Sequence, residues 1–275
     1  MKQTILITGN KGFIGSKLQK HFSSLGYTVK GIDRENDIRE NLDFSGVDVV
    51  IHCGAEISRL YGEEQPKKML DTNLLGTLNI VKECVKHRCK LVNFSTSEVY
   101  GLSLLEGDNF KEEEIERVGL FKMTNIYGMS KYMAEAVVRH FVNNYGLQAV
   151  SVRPFMVYGS GQIPTKYRSA LDQFIVSAIQ NKTLNVHRGS SRAWCNVYDF
   201  VKAIELIVRK HKFKGYEAYN IGTDEYCSME SVAKKVISKI GSGKIKTVTP
   251  PPPTNKRKFI VPQLNTCVMP KIGLK

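Results

Sequence analysis

The stretch Thr4–Gly15, TILITGNKGFIG, joins two kinds of structure without a spacer. Thr4–Thr8 is short, apolar and β-branched, as a buried strand requires. Gly9, Gly12 and Gly15 then lead into Phe13–Leu25, where apolar residues recur at helical spacing. A strand that turns through glycines into a helix offers backbone N–H groups and the positive end of the helix dipole to an anion. An open parallel sheet holds a dinucleotide pyrophosphate this way, so Gly9, Gly12, Phe13, Ile14 and Gly15 are candidate cofactor-binding residues. The spacing is GxxGxxG rather than GxGxxG.

Outward from this turn, strand-like runs recur at Tyr27–Ile32, Val47–Cys53, Leu91–Phe94 and Ala149–Val152. Helical patterns at Lys67–Lys86, Ser130–Tyr145, Tyr167–Asn181, Val197–Lys210 and Met229–Ile240 separate or follow them. Alternation of this kind predicts an α/β protein with a Rossmann-type doubly wound parallel sheet. Beyond about residue 155 the strand-like pieces, Leu184–His187 and Tyr219–Ile221, are short, which suggests a smaller C-terminal substrate-binding lobe. The expected division is a dinucleotide-binding domain over residues 1–155, its core continuing with later elements, interleaved with a lobe drawn mainly from 156–275. Glu106–Gly119 is acidic and reads as a surface loop, and Thr249–Pro253 as a stiff polyproline connector to a basic tail.

The 275 residues, 42% of them hydrophobic, suffice for a large α/β core. The first apolar run is too short for a signal peptide, and none approaches the roughly 18 residues of a membrane span, so a cytoplasmic protein without a membrane partner is expected. Cys53, Cys84, Cys89, Cys195, Cys227 and Cys267 include no CxxC pair, so reduced, structural thiols and no metal are expected. A net charge of +14 favours an anionic partner. Few aromatic residues accompany the basic ones in the tail, which argues against nucleic acid.

Asp33 follows Gly15 by about the 20 residues expected of a carboxylate that binds the adenosine ribose hydroxyls. This favours NAD, while Arg34 beside it leaves NADP open through pairing with a 2′-phosphate. Asp37 and Ile38 follow a polar turn, and Cys53, Gly54 and Ala55 end the third strand in small residues. Such residues either leave room for a flat cofactor or serve close packing.

The fourth strand ends in NFSTSEVYG, Asn93–Gly101, where hydroxyls and a carboxylate crowd the carboxyl edge at which open sheets bind ligands. Tyr127 and Lys131, spaced i and i+4, share one helix face. An ammonium nearby would lower the phenol's pKa and fit it as a general base for an alcohol.

Together, TGNKGFIG, Asp33, HCGA, TNLLGTLNIV, STSEVYG, YGMSK, RPFMVYGSGQ, RAWCNVYDFVKAI and YNIG occur in the order found in extended short-chain dehydrogenase/reductases. From Lys2 to about Ile240 the chain resembles NAD-dependent epimerases and dehydratases that act on nucleotide sugars. The resemblance implies that Thr96 hydrogen-bonds the sugar's reacting oxygen, that Tyr127 is the base and that Lys131 grips the nicotinamide ribose. It implies that Asn73 braces neighbouring strands on the cofactor side, and that Arg192 and Arg257 meet substrate phosphates. Asp199 resembles a residue that fixes a loop at a helix start. Met156 stands where the family carries an asparagine touching the sugar nucleotide, so that contact is in question.

Glu98 discriminates within the family. Pure 4-epimerases usually carry a neutral residue there, whereas dehydratases and uronate decarboxylases often read T-[DS]-E. Glu98 would then remove the carbon-5 proton with Ser97 as relay; otherwise it orients a loop. The implied activity is carbon-4 oxidation to a transient 4-keto sugar, followed by epimerisation or elimination, in a homodimer paired through a four-helix bundle. The alternatives are an NADPH-dependent 4-keto-sugar reductase, or a non-catalytic NAD- or RNA-binding protein of the same fold.

Overall fold

Alternate residues of the first strand take opposite sides of a sheet, and this sets the layers of the molecule. The computed structural model describes residues 3–249 except 41, 106–111, 113, 114, 116–118, 121, 122, 166, 168, 211, 224 and 225, and leaves the side chains of 102–105 and 226 undescribed. Strands run β1 (Thr4–Thr8), β2 (Thr28–Ile32), β3 (Val49–His52), β4 (Lys90–Phe94), β5 (Ala149–Pro154), β6 (Met156–Tyr158), β7 (Thr183–His187), β8 (Ser191–Asn196), β9 (Glu217–Ile221), β10 (Tyr226–Ser228) and β11 (Lys244–Val248). Helices run α1 (Phe13–Ser24), α2 (Arg59–Glu64), α3 (Pro66–Leu70), α4 (Thr77–His87), α5 (Ile126–Tyr145), α6 (Ala170–Ile179), α7 (Val197–Arg209) and α8 (Met229–Ile240).

The six-stranded sheet has the order β2-β1-β3-β4-β5-β9, and all its pairs are parallel. This is the doubly wound arrangement expected. Ile5, Ile7, Val49 and Ile51 pack with Leu18 and Phe22 of α1 and Phe200, Ile204 and Val208 of α7. Leu6, Val50 and Leu91 pack on the other face with Ile80, Val81 and Cys84 of α4 and Val138 of α5. Strands buried on both faces must be apolar throughout, which is why β1, β3 and β4 read as continuous apolar runs.

A third apolar cluster joins Phe174 and Ala178 of α6, Leu184 and Val186 of β7, and Ala233 and Val236 of α8. Around it lie the parallel pair β7 and β11, and the small sheet β10-β8-β6.

Several elements depart from their sequence signals. Tyr219–Ile221, read as part of the smaller lobe, belongs to β9 and pairs with β5 in the main sheet. Lys67–Lys86 is not one regular helix, because a π-helical turn over Asp71–Gly76 separates α3 from α4. α5 begins before Ser130: Asn125 caps it, its side chain accepting the Gly128 N–H at 2.7 Å. α6 begins after Tyr167, at the Ser169 cap. Most of Glu106–Gly119, the prolines 250–253 and the basic tail, with Arg257 and Cys267, lie outside the described residues.

Candidate active site

The glycine turn is built by mutual exclusion of side chains. Gly9 has φ +70°, and a Cβ there would sit 2.8 Å from Gly54 Cα. A Cβ on Gly15 would meet Gly9 O at 2.1 Å, so the first turn of α1 lies directly on the turn's backbone. Gly12 is the N-cap of α1 in extended backbone and supplies no side chain to the first-turn N–H groups of Phe13 and Ile14. Asp33, just past β2, accepts the Lys11 N–H at 2.8 Å and the Arg34 N–H at 2.9 Å, which fastens its carboxylate beside the turn.

Other residues proposed for the cofactor side serve packing. Gly54 N–H donates to Thr8 Oγ1 at 3.0 Å, and the Cys53 thiol to Thr8 O at 2.9 Å. Burial pushes that thiol up to about 12. Ile38 is core: it lies in the cluster with Leu6 and Ile80, and a Cβ on Gly76 would touch its Cδ1 at 2.6 Å. Asp37 is engaged by the Arg39 guanidinium, which holds its carboxyl down at about 2. Asn73, in the π-helical turn, is a brace: it accepts the Glu56 N–H at 2.9 Å and donates to Glu56 O at 2.9 Å and Ser130 Oγ at 3.0 Å. It thus ties the segment after β3 to α5. Ala55 is half-buried beside it.

The carboxyl end of β4 gathers the candidate catalytic groups. Thr96 is buried, Ser97 and Glu98 are half-buried, and a 3-10 turn starts at Ser97. Lys131 is 4% exposed and donates to Phe94 O at 2.8 Å. Burial lowers its pKa to about 8, against a smaller opposing effect of Cys53, so the ammonium lies near the end of β3 as well as that of β4. The Tyr127 hydroxyl lies close to the Thr96 side chain, one turn of α5 before Lys131.

The charges do not act as the i, i+4 spacing suggests. Burial pushes the Tyr127 phenol up to about 12; the Thr96 hydrogen bond draws it back, and the Glu98 charge pushes it further up. The ammonium is spent on a strand-end carbonyl rather than on the phenol.

Glu98 is gripped by a residue with no sequence signal. Arg59 Nε donates to Glu98 Oε2 at 2.8 Å and its Nη2 to Oε1 at 2.7 Å, a fork on both oxygens, and Asn125 adds a longer bond at 3.3 Å. Arg192, on β8, stands close enough that burial and the like charge of Arg59 lower its pKa while Glu98 raises it. Met156 is half-buried on β6, which lies beside β8. Asp199 is exposed in the first turn of α7, and the cap is Asn196, which accepts the Tyr198 N–H at 2.9 Å. An asparagine side chain reaches that N–H from the cap position, which Asp199 does not occupy.

Behind this edge lies a buried network. Glu135 accepts from Ser95 Oγ at 2.6 Å and pairs with Arg153, whose Nη1 donates to the Tyr100 hydroxyl at 2.8 Å. Tyr100 in turn donates to Asn220 at 2.8 Å, so β4, α5, β5 and β9 are pinned together one residue before Thr96. His52 joins Thr8 Oγ1 at 2.7 Å to Thr77 Oγ1 at 3.1 Å, and burial holds its pKa down at about 3.

Residues 5–222 match the model of the NAD dependent epimerase/dehydratase family. The chain belongs to that family. A dTDP-D-glucose 4,6-dehydratase of Dictyostelium discoideum is 29% identical over 273 residues, which cover 86% of this chain and 62% of that relative, less than two thirds of its length. A UDP-N-acetyl-alpha-D-glucosaminuronate decarboxylase of Bacillus cytotoxicus is 28% identical over 262 residues, covering 86% of this chain and 80% of that one. The solved UDP-glucose 4-epimerase of Thermus thermophilus, in complex with NAD, shares the fold with a TM-score of 0.81 at 24% identity, over 99% of this chain and 94% of that chain.

A member of the NAD dependent epimerase/dehydratase family is an enzyme that uses NAD. The residues present fit that cofactor. The space that a Cβ on Gly9 or Gly15 would fill is kept clear, α1 starts without a side-chain cap, and the carboxylate of Asp33 at the tip of β2 suits ribose hydroxyls and repels a 2′-phosphate. Among the described residues no group of three His, Cys, Asp or Glu could hold a metal ion, and no helix is long and apolar enough to cross a membrane.

Proposed function

We propose that this enzyme oxidises a nucleotide-diphosphate sugar at carbon 4 to a transient 4-keto sugar, and then either returns hydride to the other face of carbon 4 or eliminates water from carbons 5 and 6 and returns the hydride to carbon 6. The observation that carries the reading is the meeting of Thr96, Glu98, Tyr127 and Lys131 at the end of β4, with Lys131 also close to the end of β3 where Gly54 abuts Gly9. Gly9–Gly15 and Asp33 would hold NAD, which when bound would supply the acceptor and later the donor of hydride.

Thr96 orients the substrate hydroxyl, and Tyr127 takes its proton as the carbon–hydrogen bond breaks. Tyr127 accepts that proton only as the phenolate, which burial disfavours and the neighbouring Thr96 hydroxyl favours, so ionisation of the phenol precedes oxidation of the alcohol. Lys131 keeps a positive charge at the ends of β3 and β4 below about pH 8, where it would grip the nicotinamide ribose. The new ketone acidifies the carbon-5 hydrogen, and Glu98 accepts that proton, with Ser97 beside it as a relay. Arg192, with donors to spare beyond its 2.7 Å bond to Ser191 O, meets the diphosphate.

Similarity to relatives named as a 4,6-dehydratase and a uronate decarboxylase supports a step beyond simple epimerisation, and Glu98 is the carboxylate we assign to it. The test is mass spectrometry of products from UDP-, dTDP-, GDP- and CDP-hexoses, with Tyr127→Phe as control. One of these sugars is expected to be converted, and Tyr127→Phe to lose about 100-fold or more of the turnover while still binding NAD. Near-normal turnover by Tyr127→Phe would refute the assigned base.

A further inference from the structure

The six residues Arg59–Glu64 of α2 carry no motif, yet Arg59, Gly62 and Glu63 are fastened to Glu98 or to the start of α5. Arg59 grips both oxygens of Glu98. Gly62 lies against the start of α5, where a Cβ would sit 3.2 Å from Tyr127 N. Glu63 accepts the Ile126 N–H at 3.1 Å, and Glu64 accepts the Tyr167 hydroxyl at 2.7 Å. A short helix so anchored holds its first residue, Arg59, in a fixed place above Glu98.

The groups that face Glu98 are Arg59 from α2, Asn125 and Tyr127 at the start of α5, Thr96 in its own turn and Arg192 from β8. Among the described residues only Arg59 makes an ion pair with it; the Arg192 guanidinium acts at longer range. A carboxylate held by a fork on both oxygens is fixed in orientation.

We propose that Arg59 is a positioning residue for Glu98. It keeps the carboxylate immobile beside Thr96 and Tyr127, so that removal of the carbon-5 proton depends on Arg59 while carbon-4 oxidation does not. The catalytic consequence rests on the reaction proposed above; the hold on Glu98 does not. Specificity between elimination and simple epimerisation is then set by a pair of residues rather than by the glutamate alone.

Two measurements separate these parts. Arg59 is about half exposed, its side chain at 53%, so substitutions there leave the core intact. The first measurement is carboxyl NMR at one fixed neutral pH of protein labelled with carbon-13 in glutamate, with the Glu98 signal identified by its loss in Glu98→Gln. That signal is expected to shift and broaden in Arg59→Gln, as the forked hold is lost, and to recover in part in Arg59→Lys. An unchanged signal in Arg59→Gln overturns the proposal whatever reaction the enzyme performs.

The second measurement uses dTDP-glucose and UDP-glucuronate in deuterated water. Arg59→Gln is expected to lose roughly tenfold or more of the deuterium entering carbon 5, with formation of reduced cofactor in a single turnover retained. Deuterium incorporation at the wild-type rate in Arg59→Gln also overturns the proposal. If the wild-type enzyme incorporates none, the elimination reading fails, and the fixed-pH carboxyl signal alone decides the role of Arg59.

Discussion

Lys131 brings a charge to a place that is 4% exposed, and the hydrogen bond to Phe94 O does not replace its lost hydration. Its pKa is therefore about 8, below the ordinary 10.5. Below about pH 8 the lysine is charged both folded and unfolded, and the fold carries the full cost of burial. Between about 8 and 10.5 the unfolded chain holds a proton that the folded one has released, so stability rises with pH across that window. The increase is about 1.4 kcal/mol per pH unit at most. Lys131→Met lacks this slope. Urea unfolding of both proteins at pH 7, 8 and 9 is expected to show the wild type gaining on the variant as pH rises, while the variant has lost turnover. Parallel stability curves would mean that the lysine is not desolvated in the fold. A residue that destabilises the fold when charged, at the centre of the proposed chemistry, is the kind of exchange between stability and activity found at catalytic sites.

At the level of elements, the glycine turn was legible because its requirement is local. Three glycines between a strand and an amphipathic helix signal a close approach of backbones that a side chain would block, and Gly15 is needed because α1 starts against Gly9 O. Gly15→Ala must displace either the helix or the turn. It is expected to weaken NAD binding at least tenfold and to lower stability by roughly 1–3 kcal/mol, the usual range for overpacking. Gly119→Ala, where a Cβ would meet nothing within 4 Å, serves as the control and should change neither. Cofactor fluorescence titration with urea unfolding checks both, and normal NAD affinity in Gly15→Ala would remove the turn from the binding site. Element ends that depend on non-local packing were not legible. The π-helical turn before α4 follows from packing of Asp71–Gly76 against α5 and Ile38, and a helical period in the sequence does not report one extra residue. Gly128, in the first turn of α5, sits where a Cβ would come 3.1 Å from Glu98 O, a close approach that only the fold reveals.

Over the whole molecule, the residues found from sequence lie where chain-local motifs meet the end of β4, and those missed are joined only by the fold. Arg59 is 39 positions from Glu98, and nothing in ISRLYGEE announces the pairing. Glu135 offered a weak signal, since it extends the Tyr127, Lys131 series by one more turn of the same helix face. Its partner Arg153, fully buried in β5, runs against the tendency of charges to stay outside and could be placed only with coordinates. Charge balance, by contrast, is a whole-chain property that sequence gives directly. With 40 Lys and Arg against 26 Asp and Glu, the protein should draw an anionic nucleotide sugar toward itself over distances of the order of the Debye length. Raising salt from about 50 to 200 mM shortens that length from roughly 14 to 7 Å, so kcat/KM should fall about three- to tenfold. Meanwhile kcat, which reports events after binding, should hold nearly constant. Steady-state kinetics at fixed pH over that salt range provides the check. A kcat/KM indifferent to salt would mean that the excess of basic residues lies too far from the substrate's approach to matter, and that Arg192 acts only by direct contact.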